Sequence, residues 1–161
     1  MFRPLHPPIA QNEDQRLKLL QKYRDSRNLL QAALAYVSTI GCVTVFYWRT
    51  PLAIAAICNL CAGDGVADIA GRRFGGSKLP YNKNKTFAGS FGMAFAGFLA
   101  SLLYMYYFSW LEYIEASPNM IMGFFLVSVA SALVESYPLS PKLDDNLTVP
   151  LASIMVATFV L

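Results

Sequence analysis

Charged residues are scarce in this chain of 161 residues, where they make up 14% of the composition, against roughly 25% in soluble domains. Hydrophobic residues account for 55% and aromatic residues for 14%. This balance argues against a soluble globular domain, and the length allows about one domain. The net charge of +3 comes from basic residues separated by apolar segments, so the chain is not expected to bind nucleic acid.

Histidine and cysteine are also rare. His6, in a proline-rich segment, is the only histidine, and Cys42, Cys58 and Cys61 are the only cysteines. Cys58 and Cys61 have a C-x-x-C spacing, but a zinc site needs about four ligands. We therefore predict that both cysteines are small packing residues of a membrane helix. The N-terminus also lacks the apolar core and cleavage site of a secretory signal.

The chain instead contains several long uncharged segments. A membrane-spanning helix needs about 20 predominantly apolar residues. Three windows come close to or exceed that length, and two shorter ones are marginal. The long windows are residues 29–48, 87–111 and 119–134, and the marginal ones are residues 51–63 and 147–161.

These windows predict an all-α, polytopic membrane protein with four or five transmembrane helices. Residues 1–28 are expected to form a polar, amphipathic segment along the head groups, and residues 29–161 the membrane-embedded domain. If the spans form two successive hairpins, twelve of the thirteen lysines and arginines lie on one side, leaving Arg49 alone opposite. That asymmetry is typical of membrane proteins.

The segment CAGDGVADIAGRRFGGSKLPYNKNKTFAGS, residues 61–90, places charge directly beside apolar sequence. Asp64 and Asp68 are four residues apart and would share one helix face, and carboxylates at membrane depth indicate a functional site. Two such carboxylates suit Mg²⁺, which takes further ligands from water and substrate phosphates. The glycines around Asp64 could interrupt the helix at a polar cavity.

Five basic residues follow within fourteen positions of Gly71, a density that suits the phosphates of a nucleoside triphosphate. They are Arg72, Arg73, Lys78, Lys83 and Lys85. On charge alone they could equally be a positive anchor beside the membrane. The nearby aspartates favour the phosphate site, as does KTFAGS, where Thr86 or Ser90 could begin a helix with exposed N–H groups.

A second polar cluster follows the fourth apolar window. Glu135 lies at the end of a predicted membrane helix, and YPLSPKLDDN then supplies Asp144, Asp145 and Asn146. A solvated loop would equally account for the two aspartates. The predicted topology places both polar clusters on one side, where they could hold a metal, donor phosphates and a base for an incoming hydroxyl.

AGDGVADIAGRRFGGSKLPYNKNKTFAGS and SALVESYPLSPKLDDNLTVPL, in this order, closely resemble the phytol kinase and farnesol kinase branch of the polyprenol kinase family. The resemblance covers residue 29 to the C-terminus. It implies a multi-spanning membrane enzyme of plastids that phosphorylates an isoprenoid alcohol, generally with CTP, as in phytol salvage for tocopherol synthesis.

The resemblance also implies roles for individual residues. Asp64 and Asp68 would bind the metal-nucleotide, with Mg²⁺ as the metal. Glu135 and Asp145 would be the catalytic carboxylates, and we interpret Asp145 as the general base. The phosphate and nucleotide contacts would come from Arg72, Arg73, Lys78, Lys85 and Asn146.

The sequence leaves two alternatives open. A membrane cytidylyltransferase that makes a CDP-lipid shares a similar core motif, but the segment ESYPLSPKLDDN favours the kinase. Members of the kinase family are usually nearly twice as long, with further helices before the matching segment. A shortened chain could therefore be an inactive scaffold, or need a partner such as a second copy of itself.

Overall fold

The computed structural model describes residues 8–137 and 145–161, with the side chains of residues 8–15, 17, 145 and 146 outside the description. The described backbone is helical apart from short connections. Six α-helices follow one another, and a π-helical turn, Asn59–Gly63, joins the second to the third. They are α1 (Pro8–Phe46), α2 (Pro51–Cys58), α3 (Asp64–Phe74), α4 (Phe87–Trp110), α5 (Pro118–Ser136) and α6 (Asp145–Val160).

The chain divides into two units, residues 1–34 and residues 35–161. In the first unit, the described side chains from Arg16 to Leu34 are almost all exposed on the N-terminal part of α1. Helix α1 continues through residue 28 without interruption. The amphipathic role predicted for residues 1–28 stays a prediction.

The second unit contains the helices that surround the charged segment. Among the described residues of the whole chain, four helical stretches are long and apolar enough to cross a membrane, and α6 contributes a shorter apolar stretch, Leu147–Val160. The predicted all-α fold with four or five spans is confirmed. The four long stretches are Lys18–Phe46, Pro51–Phe74, Phe87–Trp110 and Pro118–Ser136.

Three of these helices begin at a hydroxyl residue whose side chain caps the first turn. Thr50, Thr86 and Ser117 each accept a hydrogen bond from a backbone N–H three residues later. Such caps satisfy N–H groups that the helix leaves without a partner. Proline follows at the first helical position of α2 and α5, where its fixed φ favours the helix start. Local sequence therefore determines where these helices begin.

Helix α4 packs closely against α3 because small residues line the contact. A Cβ added to Gly89 would lie 3.1 Å from the Ala67 carbonyl oxygen, and one added to Gly63 would lie 3.2 Å from the Met93 side chain. In a lipid environment the hydrophobic effect does not drive helices together, so their association depends on close packing. Small residues allow this because they let the backbones approach and make van der Waals contacts. Farther along the bundle, Met105, Phe124 and Val127 form a fully buried core.

Candidate functional site

Asp64 and Asp68 lie within a helical stretch long enough to cross a membrane. The π-helical turn Asn59–Gly63 comes directly before Asp64, so the predicted irregularity at AGDG is a wider helical turn rather than a break. Asn59 is buried there and donates from Nδ2 to the carbonyl of Ala55 at 2.8 Å. Such π-helical turns occur frequently at functional sites.

Helix α3, together with the last residue of the π-helical turn before it, presents two neighbouring stripes of residues. Gly63, Ala67 and Gly71, four residues apart, face α4. One position further on, Asp64, Asp68 and Arg72 repeat the same spacing and line a cavity beside that contact. The close helix contact therefore fixes where the charged stripe lies.

Asp68 and Arg72 form a bidentate ion pair along α3. Arg72 Nε donates to Asp68 Oδ1 at 2.8 Å, and Nη2 lies 2.7 Å from Oδ2. The two side chains are 79% and 59% exposed, for Arg72 and Asp68 respectively, so the pair contributes less than about 1 kcal/mol to stability. Its consequence is local: both charges are held at the cavity wall, within reach of a ligand.

Lys85 and Glu135 form a second and much less exposed pair. Lys85 Nζ lies 2.6 Å from Glu135 Oε1, and the Glu135 side chain is only 3% exposed. Glu135 is on the last turn of α5, whereas Lys85 precedes α4 by two residues. The pair therefore joins the charged segment 61–90 to the end of the later membrane helix.

The loop between α3 and α4 is closed at its base and attached at its tip. At the base, Leu79 N donates to the carbonyl of Lys85 at 3.1 Å, and Phe87 N donates to the carbonyl of Ser77 at 3.2 Å. At the tip, Asn82 Nδ2 donates to the carbonyl of Ser136 at 3.1 Å. Tyr81 and Ser136 share a hydrogen bond between their hydroxyls, also 3.1 Å long. The end of α5 thus positions the loop that carries Lys85.

These elements enclose a cavity of about 480 Å³. Its walls come from α3, the following loop, the first turn of α4 and the end of α5. The side chains and glycines that line it are Asp64, Gly65, Ala67, Asp68, Gly71, Arg72, Asn84, Lys85, Thr86, Gly89, Ser90 and Glu135. Thr86 accepts from Gly89 N at 3.1 Å as the cap of α4, so a helix N-terminus with its partial positive charge opens onto the cavity.

The cavity brings together five of the predicted site residues, namely Asp64, Asp68, Arg72, Lys85 and Glu135. Two others lie elsewhere: Arg73 places its guanidinium 6.0 Å from the ring of Phe74, and the exposed Lys78 is not among the lining residues. Asp145 begins α6, but its side chain and that of Asn146 lie outside the described part. Their predicted roles stay predictions.

Asn84 lines the cavity but was not a predicted site residue. Its backbone N–H donates to Asn82 Oδ1 at 3.1 Å, a local turn that directs the chain back towards Lys85. The turn-forming composition of YNKNK indicates such a bend, yet it does not indicate which asparagine faces the cavity.

The described residues contain no group of three or more histidine, cysteine, aspartate or glutamate side chains that could hold a metal ion. Asp64 and Asp68 still line one cavity on one helix face. That set fits Mg²⁺, which commonly takes one or two protein carboxylates and completes its octahedron with water and phosphate oxygens.

Comparison with known proteins confirms the predicted resemblance. The chain is 58% identical over 146 residues to "Probable phytol kinase 3, chloroplastic" of Glycine max, covering 90% of this chain and 46% of the relative. It is 59% identical over 138 residues to "Farnesol kinase, chloroplastic" of Arabidopsis thaliana, covering 85% and 45%. For "Probable phytol kinase 2, chloroplastic" of Oryza sativa subsp. japonica the identity is 56% over 145 residues, covering 89% and 48%.

The chain thus spans about half the length of the curated relatives it matches. No family model matches it. No solved structure matches it either.

Proposed function

We propose that this chain acts in the phosphorylation of a long-chain isoprenoid alcohol, with CTP as the phosphoryl donor. The observation that carries the proposal is the convergence of Asp64, Asp68, Arg72, Lys85 and Glu135 on one cavity. This occurs in a chain 56–59% identical to proteins named phytol kinase and farnesol kinase. Phytol, farnesol and geranylgeraniol are the candidate acceptors.

Asp64 and Asp68 are the residues that would hold Mg²⁺. When bound, the ion would neutralise charge on the donor phosphates during transfer. Arg72 already bonds both oxygens of Asp68. It therefore directs that carboxylate along the cavity wall, and because it is largely exposed it can itself turn towards a phosphate.

Lys85 and the N-terminus of α4 would bind the donor phosphates. Lys85 Nζ is held by Glu135 at the cavity wall, and a lysine so held meets phosphate as a positioned point charge. The N-terminus of α4 adds the partial positive charge of its helix dipole, in the orientation that favours anions. Arg73 and Lys78, outside the cavity lining, would contribute longer-range attraction for the nucleotide.

The acceptor hydroxyl would approach from the apolar side, with its isoprenoid tail among the membrane helices. Glu135 is committed to Lys85, so its role in this proposal is to place that lysine rather than to accept the hydroxyl proton. Asp145 is the proposed general base. Asp145 is the first residue of α6, the helix that follows α5, and Glu135 lies on the last turn of α5.

The proposed location is a plastid membrane, since the relatives are named chloroplastic and four helices in the described part of the chain are able to span a bilayer. A role in phytol salvage for tocopherol synthesis follows if phytol is the acceptor.

The experiment is a transfer assay on the purified chain in detergent, with Mg²⁺ and each of the three alcohols. Labelled isoprenyl phosphate formed from γ-labelled CTP is the expected product. A CDP-lipid formed from phosphatidate and α-labelled CTP would instead identify a cytidylyltransferase. Absence of both products, under conditions where a full-length relative is active, would reject independent kinase activity of this chain.

A further inference from the structure

A second cavity lies at the other end of the helices that hold the charged one. It has a volume of about 170 Å³ and is lined mainly by apolar side chains, among them Ile54, Ile57, Tyr104 and Phe108. These residues belong to α2 and the last turns of α4. Arg72 and Thr86, near the opposite ends of the stretches Pro51–Phe74 and Phe87–Trp110, line the charged cavity.

Arg49 lies at this apolar cavity and carries the one positive charge of its loop. Its guanidinium carbon is 4.1 Å from the ring centroid of Tyr113 and 5.7 Å from that of Trp48. The salt bridges found among the described residues do not include Arg49. The cation is thus stacked against aromatic rings while its N–H groups stay available to an anion.

The backbone at this end of the bundle is strained. Arg49 has a φ of 60° and Glu112 a φ of 61°, the two described residues other than glycine with positive φ. Both lie in the short loops that meet where Arg49 stacks on Tyr113. Left-handed conformations of residues other than glycine are uncommon and concentrate at ligand clamps and functional sites.

We propose that this cavity binds an anionic membrane lipid. Arg49 holds the phosphate of the head group, and the first few carbons of one acyl chain occupy the space beside Ile54, Ile57 and Phe108. Charge complementarity selects the occupant, because a cation stands over an apolar cavity. Exposed Trp48 and Tyr113 flank it, and such aromatic residues are enriched at the depth of the head groups. A zwitterionic lipid binds more weakly, since its own cation opposes Arg49.

The test uses tryptophan fluorescence, since the chain has only two tryptophans, Trp48 and Trp110. The Trp110→Phe variant leaves Trp48 as the single reporter beside the cavity. This variant is reconstituted into phosphatidylcholine vesicles that contain a small, equal fraction of brominated phosphatidylglycerol or brominated phosphatidylcholine. Bromine quenches a nearby indole, so we expect about fivefold preferential quenching by the anionic lipid at low salt, the effect of one basic residue at an anionic surface.

Arg49→Asn in the same background separates lipid binding from folding. Asparagine tolerates the left-handed conformation better than arginine. This variant should therefore insert into vesicles and unfold at the same temperature as the Trp110→Phe parent, but lose the fivefold preference for the anionic lipid. Lys83→Gln, on the loop beside the charged cavity, should keep it. Equal quenching by the two lipids, or an undiminished preference in Arg49→Asn, would overturn the proposal. Displacement of brominated phosphatidylglycerol by farnesol at equal mole fraction would also overturn it, by assigning the cavity to an isoprenoid tail.

Discussion

Lys85 and Glu135, fifty residues apart in the chain, meet through an ion pair of 2.6 Å in which the glutamate is almost completely buried. Breaking such a pair by neutralising one partner leaves the other charge poorly solvated. Glu135→Gln should therefore lower the free energy of unfolding by about 3 kcal/mol, the low end for buried pairs, because Lys85 is still 28% exposed. Thermal unfolding in detergent measures the loss.

The double variant Lys85→Met with Glu135→Leu separates stability from function. Replacing both charges with apolar side chains of similar size is often neutral for stability, so the unfolding temperature should recover. Nucleotide binding should not recover, because the phosphate contact proposed for Lys85 is gone. A double variant that restores both properties would show that the pair is structural only.

The adjacent arginines should differ in their effect on nucleotide binding. Arg72 lines the charged cavity, whereas Arg73 lies beside Phe74. Losing a charged hydrogen bond costs about 1.5–3 kcal/mol, so Arg72→Gln should weaken CTP binding at least tenfold. Arg73→Gln is the matched control and should change it less than about threefold. Equal losses in the two variants would mean that overall charge, not the cavity, determines the affinity.

Gly97 should not accept a side chain, because α4 touches the π-helical turn there. A Cβ at this position would lie 3.0 Å from Asn59 Cγ and still closer to its Oδ1. Asn59 can move away only by giving up its hydrogen bond to Ala55. Gly97→Ala should cost about 1–3 kcal/mol of stability, measured by thermal unfolding in detergent. Gly41→Ala, where a Cβ meets nothing within 4 Å, is the control and should be neutral or slightly stabilising.

Asn82→Ala should loosen the loop between α3 and α4, since it removes the bond to the Ser136 carbonyl at the loop tip. Trypsin cleaves after lysine, and Lys83 and Lys85 lie in this loop. Local opening should become more frequent, so cleavage at these two lysines should speed up several-fold. Asn84→Ala leaves the tip attachment in place, and its cleavage should stay near the original rate. Unchanged cleavage of Asn82→Ala would show that the bond from Asn82 to Ser136 does not hold the loop.

The sequence predicted the helical spans well because their signals are local. Uncharged windows, together with the caps at Thr50, Thr86 and Ser117, mark most of the helix positions. The stripe containing Asp64 and Asp68 also follows from helical spacing alone. The window 51–63 was marginal as a membrane span because the charge of Asp64 follows it directly. The helical stretch nevertheless continues to Phe74.

Which basic residues line the cavity could not be predicted from charge. Arg72 and Arg73 are neighbours in sequence but point about 100° apart on a helix, and only their tertiary contacts distinguish them. The attachment of Asn82 and Tyr81 to Ser136 joins residues more than fifty positions apart. No local pattern specifies such a contact, so the inward placement of Asn84 could not be predicted either.

Mg²⁺-dependent binding of CTP to the purified chain tests most directly whether Asp64 and Asp68 hold the metal of a nucleotide in the charged cavity, as we propose. This measurement does not require turnover. The chain should bind CTP in Mg²⁺ and lose at least tenfold in affinity when the metal is chelated. Asp68→Asn should show the same loss in Mg²⁺, whereas Asp25→Asn, at an exposed carboxylate of α1, should bind like the original chain. Unchanged, Mg²⁺-dependent affinity in Asp68→Asn would contradict the account.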